Sequence, residues 1–361
     1  MVAMHLADLP SRSALAGRAA GLVGVLRGLP AWSPHRRRLS EETIRVLAGA
    51  GVFRLRAPRA YGGFDRDTET LVGVAVELGR ASGPAAFLAC ATWVPTWLAA
   101  GSGARAEVFA RPDVVVCGPV SARSRPVPGG WVLDGRWASV PGVLHARWQA
   151  VVTVAGGRPS VALVPVADLR VVDGADVTDL TGAGAAGVVA EAVFVPAHRL
   201  SPLPAGSLAG VRAASWVGLV VGLAKDARDW YLEELVTDHG PSFAGGPAVP
   251  ALLSHVQAGH AFTALSSAER AANDLASTVD SGAVPAPDAV DEICRLAGDT
   301  VHLLAAISGP GSSVHRVARD LAAVTGHLLA EEDTDVGDLA AGRPYLVDRP
   351  ATPPPPRKEI R

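Results

Sequence analysis

The chain has 361 residues, 49% hydrophobic and 19% charged, with a mean hydropathy of +0.25. A chain this apolar buries a large core, which excludes wholesale disorder, and a formal net charge of −2 supplies no field to gather nucleic acid. The three cysteines, Cys90, Cys117 and Cys294, are odd in number and far apart, which excludes a disulfide framework and a cysteine-rich zinc site.

The length suits two or three domains or one large fold. Residues 1–112 read as helices. Ser40 caps a helix whose apolar face includes Ile44, Val46 and Leu47 and which stops at Ala50-Gly51. A turn follows at Tyr61-Gly62-Gly63. A second helix is predicted over 67–80 from Leu71, Val74, Ala75 and Leu78, and a third over 85–100. At Pro112 the texture changes. Short runs rich in Val and Trp, broken by Gly and Pro, predict strands at 114–117, 131–133, 148–154, 161–166 and 188–195. No helix-length segment separates them, so residues 113–204 are expected to form an antiparallel barrel or sandwich. Helices are predicted again at 207–238, 248–279, 286–308 and 312–333, a four-helix bundle over 205–347. The tail, 348–361, holds four consecutive prolines and is expected to be disordered. The fold class is therefore α+β, in the order helices, sheet, bundle.

The first residues show no basic segment leading into an apolar one, so no signal peptide is expected. The apolar run 213–224 is shorter than the ~20 residues that cross a bilayer. A soluble cytoplasmic protein is expected. Only two of the 33 basic residues are lysine, Lys225 and Lys358, a bias read as genomic and not functional.

Gly182-Ala183-Gly184-Ala185-Ala186-Gly187 fits a dinucleotide fingerprint by letter but not by context. A polar segment precedes it and a strand-like segment follows. The histidines show no HExxH, and His255 and His260 are five apart, on different helix faces. No metal site is expected. Six of the eight tryptophans, at 93, 97, 131, 137, 148 and 216, are either core or the walls of a site for a flat ligand.

Five stretches in order resemble the acyl-CoA dehydrogenase superfamily, and within it the two-component flavin-dependent monooxygenases. They are Arg37-Arg38-Leu39-Ser40-Glu41-Glu42-Thr43; Gly51-Val52-Phe53-Arg54-Leu55 with Pro58 and Gly62-Gly63; Gly129-Gly130-Trp131 with Gly135-Arg136-Trp137, Gly142, His145-Ala146 and Trp148; Leu180 to Gly184 with Val193-Phe194-Val195-Pro196-Ala197-His198-Arg199; and Val314-His315-Arg316 with Arg319-Asp320 and His327. The resemblance implies the superfamily fold and a pocket between sheet and helices. It implies flavin-dependent oxidation or oxygenation of an aromatic or amine metabolite, with FAD or FMN, a separate flavin reductase, and a homodimer or homotetramer. Leu328 stands where dehydrogenases commonly place a carboxylate base. Its neighbour His327 matches the monooxygenases' histidine, which implies a catalytic acid/base that exchanges a proton with the substrate. Cys117, Val120, Ser121, Ser139, Pro141 and Gly142 are implied to face the flavin, and Trp93, Trp97 and Trp137 to shape the substrate pocket.

The chain departs from the family pattern at Pro141, where a serine is usual, at Ala183 and Ala185 in place of threonine and serine, and at Leu144 in place of an acid. Each change removes a polar contact worth ~0.5–1.5 kcal/mol. Two alternatives therefore stay open: a flavin-free descendant catalysing a non-redox step such as cyclisation, dehydration or rearrangement, and a non-catalytic binding subunit.

Overall fold

A computed structural model describes residues 9–29, 38–111, 113–172, 182–204, 208–237 and 248–332. The predicted proline-rich tail and the first residues of the Arg37 and Leu180 stretches lie outside them.

The N-terminal part holds α1 (Arg12–Ala20), α2 (Val23–Gly28), α3 (Glu41–Ala50), α4 (Thr68–Ala81), α5 (Gly83–Ala100) and the single turn α6 (Arg105–Val108). Helix α3 begins where the Ser40 hydroxyl accepts the Thr43 N–H, and ends at Gly51, whose φ of +83° suits glycine. Helix α4 starts under two carboxylates. Asp67 accepts the Thr70 N–H, and Asp280 accepts those of Thr68 and Glu69 at 2.8 and 2.9 Å. These anions satisfy donors that a helix start leaves orphaned. Helix α5 is buried on nearly every side, as its uncharged and mostly apolar sequence requires.

The middle part has strands β1 (Val116–Ser121), β2 (Arg123–Val127), β3 (Gly130–Val140), β4 (Trp148–Ala155), β5 (Arg158–Pro165), β6 (Arg170–Val172), β7 (Ala186–Pro196) and β8 (Leu200–Pro202). They form two four-stranded sheets, ordered β1-β4-β5-β8 and β2-β3-β7-β6. The expectation of wholly antiparallel pairing is corrected at one place: β1 runs parallel to β4. Parallel neighbours need a long crossover, usually a helix. Here the β2–β3 hairpin of the opposite sheet supplies it. Three short or polar strands, β2, β6 and β8, carry no apolar run and escaped prediction. Strands β4 and β5 read as continuous apolar runs because both faces are covered. Ala150, Val152, Val161 and Leu163 pack with the helices, while Val151, Ala162 and Val164 pack between the sheets.

The C-terminal part comprises α7 (Leu208–Thr237), α8 (Ala248–Asp280), α9 (Ala289–Ile307) and α10 (Ser313–Glu332). Helix α7 is the central strut. Glycines let it lie against α4: a Cβ at Gly222 would stand 2.4 Å from the Val76 carbonyl oxygen, and one at Gly79 2.8 Å from that of Leu219. Asp226, near the middle of α7, takes Arg27 of α2 at 2.6 Å and Arg316 of α10 at 3.3 Å. Burial nevertheless pushes its carboxyl above the usual range, against the pull of both guanidiniums. By length and composition α7 could cross a membrane, longer than its apolar run suggested, but 78% of its apolar window is buried inside the fold.

Candidate active site

Three of the stretches that carry the resemblance meet in space. Arg38 forms an isolated bridge with Ala183, and its guanidinium donates to the Leu144 carbonyl at 3.4 Å. The Leu144 N–H donates to the Gly184 carbonyl at 3.0 Å. His145 packs under this junction, so that a Cβ at Gly184 would stand 2.6 Å from its ring. Burial, seconded by the Arg38 charge, pushes the His145 imidazole down to about 4. The Gly182–Gly187 segment thus feeds strand β7 and not a helix, and its glycines serve packing.

Beyond this junction a cavity of about 440 Å³ opens where the sheets meet the helices. Helix α5 contributes Cys90 and Val94. Strand β1 contributes Gly118 to Ser121, and β3 Arg136 to Ser139 with Pro141 after it. Helix α7 contributes Arg212 and Trp216, and α10 contributes His327. Two indoles face it in different ways. Trp137 Nε1 donates to the Ser121 carbonyl at 2.7 Å, which ties β3 to β1. Trp216 is 2% exposed, with its ring edge-on to His327 at 5.1 Å and tilted on Phe87 at 4.7 Å. Phe87 also meets His327 at 5.0 Å, so the imidazole is held by two rings.

Of the residues singled out in the sequence, the fold brings Val120, Ser121, Trp137, Ser139, Pro141 and His327 together around this cavity. It does not bring the others. Cys117 is fully buried between the sheets, its thiol 3.9 Å from the Gln149 amide oxygen and pushed up by burial. The register of β1 shifts between Cys117 and Val120, which breaks the alternation that would otherwise put Cys117 and Ser121 on one face, so Cys117 packs between the sheets while Val120 and Ser121 reach the cavity. Gly142 belongs to the turn below. With φ +77° it lies so near α5 that a Cβ would stand 2.8 Å from Leu88 Cδ1. Trp93 and Trp97 are corrected as pocket residues. Trp93 is fully buried in the helical core, donating its indole N–H to the Val52 carbonyl at 3.0 Å. Trp97 lies under the Arg56 guanidinium, 5.4 Å from its ring centroid.

Pro141 has a clear local role. Val143 N–H donates back to the Val140 carbonyl at 3.4 Å, with proline second and a positive-φ glycine third, the pattern of a type II turn. Of the four single-residue departures from the family pattern, Pro141 alone lines the cavity; Leu144, Ala183 and Ala185 do not. Sequence reasoning assigned no role to Arg136 or Arg212. The first lies inside the Gly135-Arg136-Trp137 motif. The second lies one helical turn before Trp216, in no motif at all.

No family model matches the chain. It is 32% identical over 202 residues to the FADH2-dependent resorcinol hydroxylase, oxygenase component, of a Rhizobium species, a match over 53% of this chain and 49% of the relative. To the flavin-dependent monooxygenase oxygenase subunit HsaA of Rhodococcus jostii it is 29% identical, over 59% and 63% of the two chains. The matches thus span about half to somewhat under two thirds of these relatives' length. Among solved structures, XiaF of a Streptomyces species in complex with FADH2 and glycerol superposes with a TM-score of 0.73 at 22% identity, over 92% of this chain and 94% of that one. The 3-HSA hydroxylase of a Rhodococcus species gives 0.71 at 23% identity, over 93% and 97%. The chain has the acyl-CoA dehydrogenase fold. Its curated relatives are flavin-dependent monooxygenases, the branch that the motifs resemble. In this fold the cavity lies between the middle sheets and the flanking helices α5, α7 and α10.

Proposed function

We propose that the chain is the oxygenase component of a two-component flavin-dependent monooxygenase, hydroxylating an aromatic or amine small molecule with FAD or FMN reduced by a separate reductase. The observation that carries this reading is the cavity itself: it is walled by the flat rings of Trp137 and Trp216 and presents His327 opposite the sheet. Its volume lies in the ~300–1,000 Å³ range of small-molecule sites.

The residues present fit a flavin ring. The Ser121 and Ser139 side chains can donate to ring heteroatoms, Val120 and Pro141 offer apolar edges, and Trp137 is fixed by its bond to Ser121. When bound, the reduced flavin supplies the electrons that activate dioxygen. The protein's part is to hold the substrate ring against that wall and exclude water. The His327 imidazole takes the proton of a substrate hydroxyl as oxygen adds to the ring and returns it afterwards. Phe87 and Trp216 keep that imidazole in one orientation. The same reading makes the protein cytoplasmic and a homodimer or homotetramer, which light scattering measures.

The test is anaerobic titration with reduced FAD and FMN, followed by oxygen with resorcinol as the first probe. Micromolar binding of one flavin and a hydroxylated product are expected. No binding of either flavin overturns the proposal and leaves the flavin-free reading, which Pro141 at the cavity wall favours.

A further inference from the structure

The motif stretch that ends at His327 holds two further polar side chains on the same helix. Arg316 and Asp320 precede the histidine by eleven and seven residues. Eleven residues are close to three helical turns and seven close to two, so all three side chains share one face of α10. On that face two rings hold the imidazole, Trp216 from α7 and Phe87 from α5. The polar pair meets the same two helices. Arg316 reaches Asp226 of α7 at 3.3 Å. Asp320, 3.5 Å from Arg316, fits against the start of α5, where a Cβ at Gly83 would stand 3.1 Å from its Oδ2. Both carboxylates are buried.

The spacings on the two long helices match. Ten residues of α7 separate Trp216 from Asp226, and eleven of α10 separate Arg316 from His327. The helices run antiparallel here, so at a rise of ~1.5 Å per residue the ion pair at one end decides which residue meets Trp216 at the other. Apolar packing alone selects that register weakly. Val317, Leu321 and Val324 fill the buried side of α10 between the two ends. A slip of one turn, ~5.4 Å, would exchange one aliphatic side chain for another there. It would also carry Arg316 away from Asp226 and strip a buried carboxylate of a partner, which is costly.

We propose that Asp226, Arg316 and Asp320 are positioning residues for His327. They lock α10 in register against α7 and α5, so that the imidazole stands between Phe87 and Trp216 at the cavity wall. The inference deepens the oxygenase reading, on which it rests for the acid–base role of His327. None of the three lines the cavity, so they act only through the helix that carries the histidine. Arg27 also holds Asp226, at 2.6 Å, but from α2, which gives no residue to the cavity. Its loss weakens the fold without releasing α10 from α7.

The experiment follows the Cε1 proton of His327 by NMR at a fixed pH, in the full chain with labelled histidine. The signal is assigned by its loss in His327→Gln. Ring currents from Phe87 and Trp216 displace it from the position of an unstacked histidine. Arg316→Met removes the cation while Asp226 keeps Arg27, and the signal is expected to move towards the unstacked position. Arg27→Met is expected to lower the melting temperature and leave the signal in place. Should Arg316→Met not fold, Asp320→Asn is read by the same criterion. An unmoved signal in the folded variant, or an equal movement in Arg316→Met and Arg27→Met, overturns the inference. This readout needs neither flavin nor substrate. Turnover with the bound flavin and resorcinol then separates the register lock from the oxygenase reading. A misplacement of ~1 Å can cost ~10²-fold, and the loss is expected in kcat with little change in KM. A moved signal with wild-type turnover leaves the lock standing and takes the acid–base role from His327. An unmoved signal beside flavin-dependent turnover removes the lock and leaves the oxygenase.

Discussion

Trp93 and Trp137 use the same bond to opposite ends. Each donates its indole N–H to a backbone carbonyl, Val52 at 3.0 Å for Trp93 and Ser121 at 2.7 Å for Trp137. In the helical core that bond satisfies a polar atom so that a large ring can be fully buried. At the cavity the bond fixes one edge of a ring whose face stays open to a ligand. Burial of the same side chain thus yields stability in one region and a shaped, unfilled surface in the other. The difference lies in the neighbours. Trp93 of α5 is enclosed in the main core, whereas β3 meets α5, α7 and α10 across a gap.

The largest expected contrast separates the two regions by what they lose. His327→Ala should lower turnover by ~10²–10⁴-fold, the usual contribution of a general acid–base group, with a small change in melting temperature. Wild-type turnover in that variant would assign His327 to packing against Phe87 and Trp216. Trp93→Ala should do the opposite, costing about 3–5 kcal/mol in chemical denaturation through cavity formation and an unpaired carbonyl at Val52. Trp137→Phe should cost under ~1.5 kcal/mol, the bond to Ser121, while changing ligand affinity. Equal loss of stability in Trp93→Ala and Trp137→Phe would erase the distinction between core and wall.

Why sequence could not draw that distinction is plain from these residues. The helices of the bundle were legible within a few residues because their apolar periodicity and glycine breaks are local. The strands of the buried sheet were legible as apolar runs. Polar strands such as β2 have no such signature, and the parallel pairing of β1 with β4 depends on a crossover that no local pattern encodes. Around the cavity, the positions on β1 and β3 that the resemblance implied did converge with His327 of the distant α10. Trp93 and Trp97 lie on α5 four residues apart, yet neither reaches the cavity, which Cys90, Ala91 and Val94 of the same helix line instead. Which stripe of an all-apolar helix faces a gap is set by its partners, and an even apolar distribution carries no phase. Arg212 was invisible for the same reason: its meaning comes from standing over a cavity.

A smaller effect probes the border between the two regions, where His145 packs beneath Arg38, Leu144 and Gly184. Its imidazole titrates at about 4 in the fold, lowered by burial and then by Arg38, against an ordinary value of 6.5. The native state therefore binds this proton less readily than the unfolded chain does. The stability it contributes is complete above pH ~6.5 and is lost as pH falls toward 4, by up to ~1.4 kcal/mol per pH unit. Urea midpoints of wild type and His145→Asn, taken across pH 4–7, should converge as the pH drops. Parallel curves would mean that His145 is solvated and adds nothing to the acid sensitivity of this junction.

The smallest effect is expected at Pro141, where turn and cavity share one residue. Replacing it by serine restores the hydroxyl that the family pattern carries. A single added hydrogen bond, ~0.5–1.5 kcal/mol, would tighten reduced-flavin binding several-fold. The same change frees a φ that proline fixes at the second position of the Val140–Val143 turn. Greater freedom in the unfolded chain should then cost ~0.4–1 kcal/mol of stability. The two consequences are read by different instruments, flavin titration and thermal melting, so they do not mask each other. Gly142, held at φ +77° against Leu88, is unchanged in the variant and keeps the turn closed. A lower melting temperature with tighter flavin binding would show that this chain has exchanged a cofactor contact for a stiffer cavity wall. A lower melting temperature with unchanged affinity would show that residue 141 belongs to the turn alone, and that the wall holds its ligand through Ser121, Ser139 and the backbone beside them.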